Sequence, residues 1–268
     1  MNINKIDVSD FPKMKKLETS SKGNQNKWHI GEAYYKQDAV GYEGLSEVLS
    51  SRILEKSNAD FVRYDFVRIE IMGEGYNGCV SQEMKQAGEI LIPLERIVRN
   101  FRNINLAETL NRFETPDERI KYTVDLLNEI GVRDSGRELT KIIEADAFTL
   151  NQDRHTNNIS ILRGANGLRF SPIYDNGDSF FSDLMYFPMR FSADELLKRT
   201  TAKPFSGSFE KQKTAARQMY KKQLDIWFSK NDLIDFCHEA AAYYPEEYIE
   251  RVRTICEIQL EKYCAGEI

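Results

Sequence analysis

The period of the hydrophobic pattern changes about one third of the way along the chain, and this change constrains the fold more than any other feature. Before about residue 84, short apolar runs are separated by Gly, Asn and Asp, as in WHIGEAYY, FVRYDFVRIEIM and NGCV. Such runs are typical of β-strands. After about residue 85, apolar residues recur three or four positions apart, which is typical of helices. The sequence therefore predicts an α+β fold with a strand-rich first third and a helical remainder.

One helix is predicted within the strand-rich part, in the segment GLSEVLSSRILEKS. Its apolar residues have the i, i+3, i+4, i+8 spacing of a single buried face: Leu45, Val48, Leu49 and Ile53. Glu43 and Glu47 are four residues apart, so they project together from another side of this helix. The helix is therefore expected to present one apolar face and one acidic face.

The helical part contains one clear helix start, at Thr115-Pro116-Asp117-Glu118, where a Thr N-cap, a Pro at N1 and a Glu at N3 match a capping box. Gly131 is the expected end of that helix. A second helix is predicted over about 135–150, and Asp146 lies close to its apolar stripe, where a polar group needs a partner. A hairpin with its turn at Gly164-Ala165-Asn166-Gly167 follows. Further helices are predicted over 209–230, 231–243 and 245–262.

The composition excludes several classes of protein. The chain has 268 residues, of which 41% are hydrophobic and 29% charged, so it is neither disordered nor collagen-like. Its net charge of −5 gives no broad electrostatic footprint for nucleic acid, and no direct nucleic-acid partner is expected. No stretch approaches the roughly 18 apolar residues of a membrane span, and no signal peptide is recognisable. We therefore expect a cytoplasmic chain with reduced cysteines and no membrane partner.

The most informative polar segment is Asn151-Gln152-Asp153-Arg154-His155-Thr156-Asn157-Asn158, which lies between a predicted helix and the hairpin. After the hairpin comes Tyr174-Asp175-Asn176-Gly177, and closure of the hairpin should return Asp175 towards Asn158. Two acids and an amide at one place can hold a divalent metal and a hydroxyl, which phosphoryl transfer requires.

The spacing within these segments is that of protein kinases. Asp153 and Asn158 have the D-x-x-x-x-N spacing of kinase catalytic loops, in which the Asp takes the proton of the acceptor hydroxyl and the Asn holds metal. Asn157 lies one residue too close to Asp153 for this spacing, so it is not the expected metal-binding Asn. Asp175 would correspond to the metal-binding Asp of D-F-G. The same spacing also arises by chance, and Asp-Asn-Gly is a common turn sequence. The order of the elements, helix, loop, hairpin and then Y-D-N-G, is what favours a catalytic interpretation of these residues.

These residues resemble the HipA-like serine/threonine kinases, bacterial kinases best known as toxins in toxin–antitoxin pairs. The D-R-H-x-x-N order, with Asp before Arg, is their form of the catalytic loop and differs from the H-R-D of ordinary protein kinases. Upstream, the segment from Ser20 to Lys27 resembles the family's S-x-x-G-x-Q-x-K loop over the phosphates. Tyr34-Tyr35-Lys36 resembles the strand that carries the nucleotide-contacting lysine. Glu47 matches the helix glutamate that pairs with this lysine, with Glu43 as the second candidate.

The resemblance implies a two-lobed kinase fold, with residues 1–84 as the nucleotide lobe and 85–268 as the helical lobe. ATP and Mg²⁺ should lie between the lobes, with Asp153 as the catalytic residue and Asn158 and Asp175 as the metal ligands. The further ATP-binding residues it implies are Gly23, Gln25, Lys27, Lys36, Glu47, His155 and, at the hinge, Val80 to Glu83.

The resemblance also implies a protein substrate with a Ser or Thr acceptor and a neutralising antitoxin partner. The loop over the phosphates begins near residue 20, so the resemblance leads us to expect a short form without the extra N-terminal subdomain of longer relatives. In the family a serine of this loop can be autophosphorylated, and the position corresponds to Ser20, with Ser21 beside it. The added charge of about −1.5 to −2 would repel the nucleotide phosphates or displace the loop.

Two other functions remain open from the sequence. A small-molecule kinase of the aminoglycoside phosphotransferase type uses a similar Asp, Asn and Asp set, but such proteins usually carry H-G-D in the loop, which is absent here. The other alternative is a kinase-shaped protein that retains nucleotide and acts by docking a partner. The intact acids of the motifs argue against it.

Overall fold

A computed structural model describes residues 3–14 and 25–268. Within these residues one sheet has five strands in the order β1-β4-β5-β3-β2. Its strands are β1 (Lys5–Asp7), β2 (Lys27–Ile30), β3 (Ala33–Gln37), β4 (Tyr64–Ile71) and β5 (Glu74–Gln82). β1 pairs parallel to β4, and the other neighbours pair antiparallel. The predicted strands of the first third are confirmed, while β1 was not predicted.

Helix α1 (Glu43–Glu55) lies in the chain between β3 and β4, as predicted. Its apolar residues Leu45, Val48, Leu49 and Ile53 are fully buried in the larger hydrophobic core. Tyr64 and Phe66 of β4 join this core, whereas Val67 and Ile69, which point to the opposite face, join a smaller core with Trp28. The sheet therefore buries both of its faces.

A second sheet holds the predicted hairpin. Its strands are β6 (Ile90–Pro93), β7 (Ser160–Gly164) and β8 (Gly167–Phe170), all antiparallel. The hairpin turns at Gly164 to Gly167, and Gly167 has a φ of 97°, which a residue with a Cβ rarely adopts. β6 was not predicted, because the apolar run ILIP is too short to distinguish a strand from the start of the following helix.

The remaining helices lie after residue 93. They are α2 (Leu94–Arg102), α3 (Leu106–Leu110), α4 (Pro116–Ile130), α5 (Ser135–Thr149), α6 (Ala193–Leu197), α7 (Phe209–Tyr220), α8 (Lys230–Ala240) and α9 (Glu246–Cys264). The capping box of α4 is present, since Thr115 accepts from the backbone of Glu118 and the Glu118 carboxylate accepts from the backbone of Thr115. Gly131 ends this helix in the left-handed region with a φ of 89°.

The helix predicted over 209–230 is wrong beyond Tyr220. Lys221 has a φ of 66°, which ends α7. The backbone N–H groups of Gln223 and Leu224 then donate to the buried carboxylate of Glu144 in α5, at 3.0 and 2.7 Å. A tertiary partner for these backbone groups outweighs the helical periodicity of the segment.

The α+β class predicted from the sequence is confirmed. The division at residue 84 stays a prediction; the five-stranded sheet lies within residues 5–82, and the three-stranded sheet and most helices follow it. Among the helices of the described residues, none combines the length and apolar character that crossing a membrane requires.

Candidate active site

A buried ion pair joins β3 to α1. The ammonium Nζ of Lys36 lies 2.5 Å from Oε1 of Glu47, whose side chain is fully buried. Glu43, the alternative partner, instead accepts backbone hydrogen bonds from Val40 and Gly41 at 2.9 and 3.1 Å. The structure therefore brings Lys36 to Glu47, because Glu43 is already used at the first turn of α1.

Asp175 lies against the same lysine. Its Oδ1 is 2.8 Å from Nζ of Lys36 and 3.8 Å from Nζ of Lys27. Burial alone would raise the pKa of Asp175, but the positive charges of Lys27 and Lys36 lower this pKa well below its usual value. Burial would lower the pKa of Lys36, but the negative charges of Asp175 and Glu47 raise it well above its usual value. Both groups are therefore charged at neutral pH.

Asp175 has an unusual backbone conformation, with a φ of 58° in the left-handed region, which Asp tolerates better than most residues. The next backbone N–H, that of Asn176, donates to Oε2 of Glu47 at 2.8 Å. Glu47 thus bonds the lysine with one oxygen and the Asp175 loop with the other. This arrangement fixes Asp175 relative to Lys36.

The loop over 151–158 is held by its own hydrogen bonds. The backbone N–H of Asp153 donates to Oδ1 of Asn151 at 3.1 Å, and that of Asn158 donates to the carbonyl of His155 at 2.8 Å. The side-chain Nδ2 of Asn158 donates to the carbonyl of Asp153 at 3.0 Å. These bonds fold the loop so that the side chains at both ends of D-x-x-x-x-N share one side of it.

Arg154 connects this loop to its surroundings. Its guanidinium is buried and pairs with Asp146 of α5 at 3.0 Å, which supplies the partner that Asp146 was expected to need. It also donates to the carbonyls of Asn158 and Tyr174, at 3.0 and 2.6 Å, and to Oδ1 of Asn176 at 2.6 Å. One side chain therefore sets the position of the loop over 151–158 against the Asp175 segment.

The side chains of Asp153, Asn158 and Asp175 line a single cavity of about 620 Å³. Two buried oxygen atoms at this cavity, Oδ1 of Asn158 and Oδ2 of Asp175, have no hydrogen-bond partner. Buried polar atoms without a partner are costly, and carboxylate and amide oxygens are ligands that suit Mg²⁺. The pair therefore fits a metal ion.

The number of these ligands is small. Among the described residues, no group of three or more His, Cys, Asp or Glu side chains could hold a metal by itself. Protein-bound Mg²⁺ usually keeps one or two carboxylates together with phosphate and water oxygens. Asn158 and Asp175 thus suit a metal that arrives with a phosphate-bearing ligand.

Asp175 also lines a second cavity, of about 420 Å³, together with Lys27, Lys36, Tyr64 and the segment 81–85. This volume lies within the range of small-molecule sites. Glu83 lines it, and its carboxylate accepts from the hydroxyl of Tyr34 at 2.7 Å.

Val80 does not line this cavity. Its side chain packs in the smaller core with Trp28 and Val67. Of the predicted hinge residues, Ser81, Gln82 and Glu83 line this cavity and Val80 does not; their contact with ATP stays a prediction.

Asp153 has a partner that the sequence did not indicate. Its Oδ1 lies 2.9 Å from Nζ of Lys203, and its Oδ2 lies 3.6 Å from Nε2 of His155. The segment before Lys203 is fixed because the N–H and hydroxyl of Thr201 both donate to Oε1 of Gln152, at 3.1 and 3.2 Å. Lys203 is about 50 residues from Asp153 in the chain, so no local spacing could have revealed it.

His155 serves the loop itself. Its Nδ1 accepts the backbone N–H of Asn157 at 3.2 Å, and burial lowers the pKa of the imidazole. His155 lines neither cavity. The structure thus places it beside Asp153 as a residue that braces the loop.

The predicted loop over the phosphates is described only from residue 25 onward. Gln25 lines the larger cavity, and Lys27 lies beside Asp175. Gly23, Ser20 and Ser21 lie outside the described residues.

Comparisons with known proteins bear on the fold. No family model matches the chain, and no curated protein matches it. Among solved structures, the proinflammatory kinase CtkA of Helicobacter pylori aligns with 96% of this chain and 95% of its own, with a TM-score of 0.62 and 14% identity. The chain has a two-lobed kinase fold. The fold expected from the HipA-like resemblance is confirmed.

HipA of Shewanella oneidensis, solved with HipB and operator DNA, also matches. The TM-score is 0.47 at 11% identity, and the alignment covers 91% of this chain and 62% of the HipA chain.

Proposed function

We propose that this chain is an ATP- and Mg²⁺-dependent serine/threonine protein kinase. The observation that supports it most is that Asp153, Asn158 and Asp175 line one cavity, beside a lysine held by a buried glutamate. Phosphoryl transfer depends on positioning and on neutralising charge, and these residue types supply both.

Different residues would bind the metal and the phosphates. Oδ1 of Asn158 and Oδ2 of Asp175 would hold the metal, since both are buried and lack other partners. The ammonium groups of Lys36 and Lys27, close to Asp175, would contact phosphate oxygens. When bound, magnesium ATP supplies the phosphoryl group and neutralises part of its charge.

Asp153 would receive the proton of the acceptor hydroxyl. Its side chain is 34% exposed, so a substrate can reach it, and its carboxylate is held from one side by Lys203. A general base of this kind contributes typically about 10²–10⁴ in rate.

The experiment that tests this function is incubation with radiolabelled Mg-ATP, with and without cell lysate. We expect labelled protein with wild type, and labelling lower by about 10²–10⁴ with Asp153→Ala at unchanged ATP binding. Asn157→Ala is the matched control, because Asn157 does not fit the D-x-x-x-x-N spacing and is therefore not a proposed metal ligand. Equal labelling by wild type and Asp153→Ala would remove Asp153 from the mechanism.

The same assay separates the two alternatives. Label found on hydroxyl-bearing metabolites instead of proteins would indicate a small-molecule phosphotransferase. Nucleotide binding without hydrolysis or transfer would indicate a kinase-shaped binding protein.

Two further properties implied by the HipA-like resemblance stay predictions: autophosphorylation and a neutralising antitoxin partner. Autophosphorylation of Ser20 or Ser21 is tested by phosphopeptide mapping after incubation with Mg-ATP, and an unmodified loop would count against it. A neutralising antitoxin partner is tested by co-expression with neighbouring gene products and measurement of kinase activity.

A further inference from the structure

Three carboxylates line the larger cavity besides the proposed catalytic and metal-binding residues. They belong to Glu43, Asp178 and Asp183, and we call them the acidic wall. They come from three places in the chain: the first turn of α1, the loop that follows Asp175, and the turn that begins at residue 183. The fold therefore brings separate acids to the same cavity as Asp153.

The acidic wall has little positive charge near it. Lys203 is the only basic residue among the described residues that line the cavity, and its ammonium is 2.9 Å from Asp153. Glu43 and Asp183 are bonded by backbone N–H groups, those of Val40 and Met185 at 2.9 Å. Burial raises the pKa of Asp178 to about 7, and the charges of Asp153 and Asp183 add to this effect. A cation placed here would relieve that repulsion.

A second, independent group lacks a partner at the same cavity. Gln152 is 5% exposed, and its Oε1 accepts from Thr201, but its Nε2 donor has no acceptor. A buried N–H without a partner is costly, and a backbone carbonyl of a bound chain would satisfy it. This points to a peptide and not to a small cation alone.

The rim of the cavity is apolar. Met185 and Tyr186 line it and are 77% and 76% exposed. Exposed Met and Tyr side chains are common at surfaces that bind protein segments, because they offer adaptable apolar contact. The cavity thus combines acids, a free N–H donor and an apolar rim beside one proposed catalytic residue.

We propose that this cavity binds the acceptor segment of a protein substrate in which Lys or Arg flanks the phosphorylated Ser or Thr. The flanking basic side chain contacts Asp178 and Asp183, the Gln152 amide donates to a substrate carbonyl, and the acceptor hydroxyl reaches Asp153. This inference rests on the kinase function proposed above and specifies its substrate class.

The reaction at the acceptor is ordinary phosphoryl transfer. The hydroxyl oxygen forms a bond to the terminal phosphorus of ATP, and the bond from that phosphorus to the bridging oxygen breaks, with ADP as the leaving group. The hydroxyl proton passes to the carboxylate of Asp153. The acidic wall takes no part in these bonds and acts only on where the substrate lies.

The test uses the full chain and a library of peptides with a fixed Ser or Thr flanked by Arg, Ala or Glu. Wild type should phosphorylate Arg-flanked peptides with a kcat/KM at least about tenfold above that for Glu-flanked peptides, since a charge-assisted contact has about this effect. Asp178→Asn and Asp183→Asn should reduce this ratio, mainly by raising KM for Arg-flanked peptides. Asp178→Lys should favour Glu-flanked peptides. Asp235→Asn, an exposed acid on α8 that does not line the cavity, should leave the ratio unchanged.

Equal rates of wild type on Arg- and Glu-flanked peptides would overturn the inference, as would a preference that survives all three substitutions. ATP hydrolysis without phosphorylation of any peptide would overturn it as well. These outcomes leave nucleotide chemistry in place, whereas absence of both ATP binding and turnover would remove the kinase function itself. Thermal unfolding of each variant shows whether it is folded. If a variant does not fold, the preference of wild type for Arg-flanked over Glu-flanked peptides decides the inference.

Discussion

At the scale of single residues, two neighbouring asparagines occupy different environments. Asn158 is buried, its Nδ2 donates to the carbonyl of Asp153 at 3.0 Å, and its Oδ1 is left without a partner at the cavity. Asn157 is half-buried and does not line the cavity. The pair allows the metal role to be tested by the same chemical change at adjacent positions.

We expect Asn158→Ala to raise the Mg²⁺ concentration needed for half-maximal phosphoryl transfer by at least about 10–100-fold, because one proposed ligand oxygen is lost. Asn157→Ala should leave this concentration close to that of wild type. The measurement is a magnesium titration of transfer at saturating ATP. The same shift in both variants would indicate a general effect on the loop and not a metal ligand at 158.

At the scale of secondary-structure elements, the site depends on buried charges that join one element to another. Arg154 bonds α5 through Asp146 and the Asp175 segment through Asn176 and the carbonyl of Tyr174. Removing one member of a buried ion pair leaves the other charge without compensation. The positions of the loops therefore depend on a group that does not itself line the cavity.

Arg154→Met should lower the free energy of unfolding by about 3–5 kcal/mol, because the Asp146 carboxylate would remain buried alone. The double variant Arg154→Met/Asp146→Leu should recover a large part of this loss. Urea unfolding at neutral pH measures both. A single variant as stable as wild type would contradict the account of this pair.

A second buried carboxylate fixes the start of α1. Asp38 accepts from the backbone N–H of Gly44 at 2.6 Å and from the hydroxyl of Tyr244 at 2.8 Å. Burial raises the pKa of Asp38 from 3.8 to about 8; the nearby charge of Glu43 also raises this pKa, and the hydrogen bonds from Gly44 and Tyr244 lower it. The carboxyl group of Asp38 therefore binds its proton more tightly in the folded state than in the unfolded state.

This shift predicts a pH dependence of stability. The contribution of Asp38 to the unfolding free energy is fully present below about pH 4 and is lost as pH rises towards about 8. Asp38→Asn, which cannot ionise, should therefore lose less stability than wild type between pH 5 and 8.5. Denaturant unfolding at these two pH values measures the difference. Equal losses in the two proteins would show that Asp38 does not titrate in this range.

At the scale of the whole molecule, the sequence predicted what depends on local pattern. The strands of the first third, α1, the capping box at Thr115 and the hairpin all follow from periodicity and turn chemistry. The spacing of Asp153 and Asn158, with Asp175 after the hairpin, indicated which side chains would meet at one cavity.

The rest depends on contacts between distant segments. Lys203 reaches Asp153 across about 50 residues, and the end of α7 depends on Glu144 in another helix. The Gln152 donor and the acidic wall are defined only when several loops are folded together. No spacing in the sequence encodes these relations, since each partner lies on a different element.

The proposed function requires that Asp175 and its neighbours bind magnesium and ATP. The most direct measurement is calorimetric titration of ATP into wild type and Asp175→Ala, each with and without Mg²⁺. We expect Mg²⁺ to strengthen ATP binding to wild type, and we expect Asp175→Ala to bind no Mg-ATP. Magnesium-dependent binding of equal strength to both proteins would contradict it.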